Sequence, residues 1–219
     1  ALDHNRMLVE ASIDKSDGTT RKIRLWVDTG NPDFFLTEEL AGDLGMDLSS
    51  AKENRAAGQP LEVPPPEGIR IGGMPLDFTD VKCKVMFQPR WIFDTMHNDA
   101  NLPSTVLRRY RVIFDYPARE MTIAEPGTSA DRRGAKTPAS IHPKTGIVQI
   151  DGRMDEDSVS FALDIGASYS YTSANYVERL IERHPDWSRC RGAVGCANIW
   201  GWWPQEQEWL VVRIPAIEW

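Results

Sequence analysis

Two short turns in this sequence carry carboxylates where acid–base chemistry could be done. Lys22–Gly30 reads KIRLWVDTG and ends in Asp28-Thr29-Gly30, while Ser158–Gly166 reads SVSFALDIG and ends in Asp164-Ile165-Gly166. One such turn means little, because Asp bonds its own backbone and Gly accepts unusual φ angles in any β-turn. Two in matching context mean more. Suppose modules carrying them pack about a pseudo-twofold axis: Asp28 and Asp164 then become neighbours, and a close carboxylate pair cannot both ionise. The ionised member takes a proton from water while the protonated member donates to a carbonyl oxygen. That is general acid–base hydrolysis of an amide, with no metal and no covalent intermediate. The titration belongs to the pair rather than to either residue.

The residues around each aspartate have assignable tasks. Gly30 and Gly166 let backbone approach the carboxylates closely. Thr29 and Asn31 follow Asp28 in the first turn, and Ile165 and Ala167 fill the equivalent places in the second.

Matching elements must position these turns. Ile23, Leu25 and Val27 alternate onto one face of the first strand, and Val159, Phe161 and Leu163 do so in the second copy. After each turn a second strand is expected, carrying Phe35 or Tyr171 and ending at Thr37 or Ser173. Either hydroxyl can cap the helix that follows. The two helices align Leu40 with Tyr176 and Leu44 with Leu180. Between the copies, Gly68–Phe78 predicts a hairpin turning at Gly72-Gly73, and Val81–Phe87 predicts a strand. Leu102–Tyr110 suits a short helix, and Tyr110–Ile123 suits two strands joined at Tyr116–Arg119. The expected fold is all-β with a few short helices. It has two β-rich lobes related by pseudo-twofold symmetry: residues 1–125, then a polar linker over 126–143, then a shorter lobe over 144–219.

Composition narrows the function classes. Twenty-five Lys and Arg against 32 Asp and Glu leave a net charge of −7, which argues against nucleic acid as the partner. No apolar run is long enough for a membrane span. The serine-hydrolase elbow, the dinucleotide fingerprint and the phosphate-binding loop are all absent, and the four histidines are dispersed. Cys190 and Cys196 are close enough to form a local disulfide, with three free or buried thiols as the alternative. Six of the eight tryptophans lie after residue 186, either as an aromatic wall for a peptide or glycan or as a small satellite core. The opening ALDHNRMLVEA shows no leader pattern. It fits a mature extracytoplasmic form after leader removal, or a trimmed chain, and the compartment stays open.

WVDTGNPDFFLT and FALDIGASYSYTS resemble the two active-site turns of aspartic peptidases of the pepsin and retropepsin type. LRRYRVIFDYPAREMTIAEP is similar to the strand pair that closes a module in bacterial retropepsin-like proteins. The resemblance implies an acid-protease fold, a catalytic aspartate in each turn, a polypeptide substrate in the interlobe cleft and no cofactor. It also marks departures. The family places Thr or Ser after each aspartate, so that hydroxyls tie the turns together; Thr29 keeps one, but Ile165 has none. Asn101-Leu102-Pro103-Ser104 stands where an apolar-apolar-Gly crossing is expected. Glu125 lies 97 residues beyond Asp28, yet only 55 residues follow Asp164, so the second lobe lacks a counterpart to the closing strand pair. A partner chain could complete it. The reading is an aspartic-type endopeptidase; the alternatives are a non-catalytic peptide- or glycan-binding module on the same fold, or an inactive fragment of a longer peptidase.

Overall fold

In the computed structural model of the chain, residues 2–3, 6–87, 98–128, 136–167, 170–191 and 210–219 are described. The chain divides into two compact units. The first comprises Ala1–Ile150 with Ala162–Ser168, and the second Asp151–Phe161 with Tyr169–Trp219. The turn carrying Asp164 therefore belongs to the same unit as Asp28.

The fold is all-β with short helices, and its main sheet curls into a half-barrel. The first unit begins with β1 (Leu2–Asp3), β2 (Arg6–Asp14), β3 (Thr20–Asp28) and β4 (Phe34–Thr37). Helices α1 (Glu38–Asp43) and α2 (Ala51–Ala56) follow, then β5 (Leu61–Val63), β6 (Arg70–Ile71), β7 (Met74–Pro75), β8 (Cys83–Met86) and β9 (Ala100–Pro103). The sheet order is β5-β8-β4-β9-β3-β2-β6-β7, with β1 added to β2. Alternation in β3 works as its sequence requires: Ile23, Leu25 and Val27 are fully buried in the core with Phe34, Leu36, Leu40 and Leu102. Thr37 Oγ1 caps α1 by accepting from Leu40 N at 3.2 Å. The hairpin turns where expected, because Gly72 and Gly73 both take positive φ, +56° and +85°, as a two-residue turn between β6 and β7 demands.

β3 and β9 run parallel, pairing Trp26 with Asn101 and Asp28 with Pro103. Both strands thus end at one level. The Asp28 turn leaves β3 where α3 (Ser104–Leu107) leaves β9. Next come β10 (Arg111–Asp115) and β11 (Glu120–Ala124), an antiparallel hairpin in the predicted place. Its Val112, Phe114, Met121 and Ile123 pack on the core. β12 (Ser140–Ile141) pairs with the start of β13 (Val148–Met154).

The second unit holds the rest of β13, β14 (Asp157–Ala162) apart from its last residue, α4 (Ala174–Arg183), β15 (Arg189–Arg191), β16 (Leu210–Val212) and β17 (Ile217–Glu218). Its core is small: Met154, Tyr176 and Leu180, with Val159, Phe161, Trp187 and Ile214 half-buried around them. Ser173 caps α4 as Thr37 caps α1, accepting from Tyr176 N at 3.3 Å. Tyr176 and Leu180 are buried at the positions the repeat assigns them.

Two expectations are corrected here. Residues 170–173 form no strand, and Tyr171 is 55% exposed, whereas Phe35 in the first copy is 7% exposed. Phe35 sits in β4 between β8 and β9; among the described residues nothing equivalent flanks Tyr171. Leu163 lies beyond the end of β14 and is exposed rather than facing inward. Of the tryptophan-rich end, Trp187 stacks on His184 at 4.2 Å and Trp219 meets Phe161 edge-on at 6.4 Å. Trp200, Trp202, Trp203, Trp209 and Cys196, the expected partner of Cys190, lie outside the described residues. Among the described residues no helix is long and apolar enough to cross a membrane.

Candidate active site

Asp28 ends β3 and is 4% exposed. The turn after it is held from below by β9 and α3. Ser104 N donates to Asn31 O at 2.9 Å, and the Ser104 hydroxyl lies 2.9 Å from the same carbonyl and 2.6 Å from Thr145 O. The Thr105 hydroxyl donates to Pro32 O at 2.5 Å. Asn31 Oδ1 accepts from Asp33 N at 3.0 Å, and Lys84 pairs with the Asp33 carboxylate at 2.5 Å. Polar side chains on a buried helix start thus satisfy carbonyls that an irregular turn would otherwise strand away from water.

Asp164 is placed differently. It follows β14, stands exposed to solvent, and its Oδ1 accepts from Gly166 N at 2.8 Å and Ala167 N at 3.2 Å. Leu163 N donates to Val148 O at 2.9 Å and ties the turn to β13.

The two turns meet through Thr29. Its hydroxyl donates to Leu163 O and accepts from Ile165 N, both at 2.9 Å. Ile165 returns no such bond, and its side chain packs against the core instead. The glycines show how close the approach is. A Cβ on Gly166 would stand 2.6 Å from Asp28 Oδ1, and one on Gly30 would fall on the Asp164 carboxyl. The contact is reciprocal, with each glycine lying against the opposite aspartate. Asp28, Thr29, Gly30, Ile165, Gly166 and Asp164 are thus together, with Asn31 and Ala167 just behind.

Burial pushes the Asp28 carboxyl up to about 7, and the charge of Asp164 adds to the rise. Hydrogen bonds from the Asn101 and Asn31 amides, and the positive charge of Arg6, pull the other way. Arg6 is buried, with its guanidinium over the Trp26 ring at 5.1 Å. In the β2–β3 ladder Leu8 pairs with Trp26, so Arg6 comes level with Asp28. Burial and the neighbouring charge both favour the protonated form of the Asp28 carboxyl. The arrangement offers a buried acid, Asp28, beside a solvent-facing carboxylate, Asp164.

Sequence reasoning assigned no role to Arg6, Asn101 or Ser104. For Asn101 the available signal was a polar residue inside an otherwise apolar segment. Among the described residues no group of three His, Cys, Asp or Glu side chains is placed to hold a metal ion.

No protein-family model matches the chain, and no curated protein matches it. Among solved structures, it is similar to the crystal structure of a retropepsin-like aspartic protease from Rickettsia conorii. The match has 23% sequence identity and a TM-score of 0.32, and covers 52% of this chain and 79% of that one.

Proposed function

We propose that the protein is an aspartic-type endopeptidase in which Asp28 and Asp164 activate water against a peptide bond. The observation that carries this reading is the meeting of two Asp-x-Gly turns, each glycine against the other turn's aspartate and one hydroxyl bridging them. A shared proton on Asp28 is donated to the scissile carbonyl oxygen as Asp164 takes a proton from the attacking water. In the tetrahedral intermediate, Asp28 recovers a proton from a hydroxyl, and Asp164 delivers its own to the leaving nitrogen. Bonds and protons balance, and the pair returns to its starting state. The substrate class is polypeptide, laid across the two turns. The family is the aspartic peptidases of the pepsin and retropepsin type.

The test is cleavage of a peptide library between pH 3 and pH 9 by the full chain and by Asp28→Asn and Asp164→Asn. Each substitution is expected to lower kcat/KM by about 10³-fold or more, since acid and base act as a unit. Activity should fall as pH rises through about 7, where Asp28 gives up the shared proton. Cleavage that survives Asp28→Asn, or that is greatest at alkaline pH, overturns the reading. The exposed position of Asp164 and the missing hydroxyl at Ile165 favour a second reading, a peptide-binding module without turnover. Peptide binding with no cleavage at any pH selects it.

A further inference from the structure

Asn101 is fully buried in β9, in a segment that otherwise reads Ala100, Leu102 and Pro103. Parallel pairing with Trp26 puts its side chain on the face of β3 that carries Trp26 and Asp28. The amide does two things a backbone ladder would do. Its Oδ1 accepts from Phe35 N at 2.6 Å, and its Nδ2 donates to Asp33 O at 3.0 Å. β4 and β9 share only the pairing of Leu36 with Ala100, so this side chain supplies the missing link between β9 and the chain entering β4. Accepting from a backbone N–H fixes which end of the amide is oxygen, and the rotamer is thereby locked.

An Asn amide carries two N–H donors, and Asp33 takes one. We propose that Asn101 is a positioning residue for the Asp28 carboxyl, holding it in place with the remaining Nδ2 hydrogen. The inference rests on the peptidase reading only for its effect on turnover; the contact itself can be measured without substrate. The other charged groups facing Asp28 are Asp164, from the second turn, and Arg6, from β2. Neither charge can fix the carboxyl's orientation as an amide does; the Asn31 amide also bonds it, but from within the same turn, whereas Asn101 reaches it from β9. Arg6 acts on it through charge, and Asp164 repels it.

The first measurement uses the unaltered full chain, uniformly labelled with ¹³C and ¹⁵N. The Asn101 side-chain amide resonances should titrate with the same midpoint as the Asp28 carboxyl carbon. Those of Asn54, whose Nδ2 donates to Pro60 O at 2.9 Å, should not. Asn101 resonances that ignore the Asp28 titration overturn the inference. The second measurement uses variants. Asn101→Leu removes the donor, so the Asp28 midpoint should move up by roughly half a unit or more. Asn101→Asp keeps the acceptor for Phe35 N and offers at most one O–H where the amide had two N–H, so the midpoint again moves up. The alkaline limb of kcat/KM should move with it. A merely structural role would lower thermal stability and leave both midpoint and limb in place. Cleavage with an unmoved midpoint sinks this inference alone; a moved midpoint without cleavage in the unaltered chain sinks the peptidase reading alone.

Discussion

The two aspartate turns are alike in sequence and unlike in support. In the first turn Asp28 is buried, and the turn is closed from below by Asn101, Ser104 and Thr105 and follows a strand flanked on both sides. In the second turn Asp164 is exposed, and the turn is held by its own backbone amides, the link to Val148 and the bond to Thr29. The same three-residue device therefore yields two different carboxyls. One is desolvated and keeps a proton to about pH 7, and the other faces solvent. An acid and a base need that asymmetry, and it comes from the elements behind the turns rather than from the turns themselves.

The largest test of this difference lies at the glycines. A methyl group on Gly166 would meet Asp28 Oδ1 at 2.6 Å and Trp26 Cζ2 at 3.0 Å, both in buried side chains that have nowhere to move. A methyl group on Gly30 meets only the exposed Asp164 carboxyl, which can swing outward. Gly166→Ala is expected to destabilise by about 2–4 kcal/mol, as overpacking and strain at a fixed site do. Gly30→Ala should cost roughly 1 kcal/mol or less while disrupting the dyad. Denaturant unfolding of both variants measures the contrast, and equal losses would mean that the Asp28 side is as yielding as the Asp164 side.

A second contrast is electrostatic. The Asp28 value lies above the ordinary carboxylate value of 3.8 in the folded chain. Its protonated form is therefore the one that folding favours. Any stability from that preference is complete below about pH 4, declines as pH rises, and is gone once pH passes about 7. Asp28→Asn removes the charge, so it should leave stability near pH 4 almost unchanged and raise it at pH 8 by a few kcal/mol. Asp164→Asn keeps an oxygen for the Gly166 and Ala167 amides and should change stability little. It should, however, lower the Asp28 midpoint by removing the neighbouring charge. Thermal unfolding at both pH values separates the two variants.

How much of this could be read from the sequence follows the same division. β3, the α1 and α4 caps, the Gly72-Gly73 hairpin and the β10–β11 hairpin were legible because local pattern decides them: alternation, a hydroxyl three residues before a helical amide, glycines at positive φ. The strand expected at Tyr171 was not, because a strand exists only with neighbours, and the first copy's β8 and β9 have no counterpart among the described residues beside the second. Asp28 and Asp164 were legible as a repeat. Asn101, Ser104 and Arg6 were not, since their roles depend on which strand lies beside which. The parallel pairing of β3 with β9 spans some 75 residues of chain and leaves no local trace.

The tie between the turns gives a smaller effect. Thr29→Val keeps the shape of the side chain and deletes its hydroxyl, leaving Ile165 N and Leu163 O without their partner. An unmet backbone group costs about 1–3 kcal/mol when buried. Leu163 is exposed and Ile165 half-buried, so the loss should sit near 1 kcal/mol. The drop in kcat/KM should exceed what that loss of stability explains, because the Asp164 turn would be free to drift. Thr29→Ser, which restores the hydroxyl, should recover most of it.

The smallest effect comes from giving the second turn what the first has. Ile165→Thr supplies a hydroxyl at the position equivalent to Thr29, but it also removes apolar surface that now packs on the core. A half-buried isoleucine loses roughly 1 kcal/mol of burial on this change, and a new hydrogen bond returns about as much. Net stability should therefore move by less than about 1 kcal/mol. Activity is the sharper readout. If the single tie at Thr29 already fixes the Asp164 turn, kcat/KM stays within about twofold. If that turn is under-braced, a second hydroxyl raises kcat with KM unchanged, because only the geometry of the reacting pair has improved. A fall in kcat would mean that Ile165 contributes through its packing on the first turn's core, and that the missing hydroxyl was never a deficit.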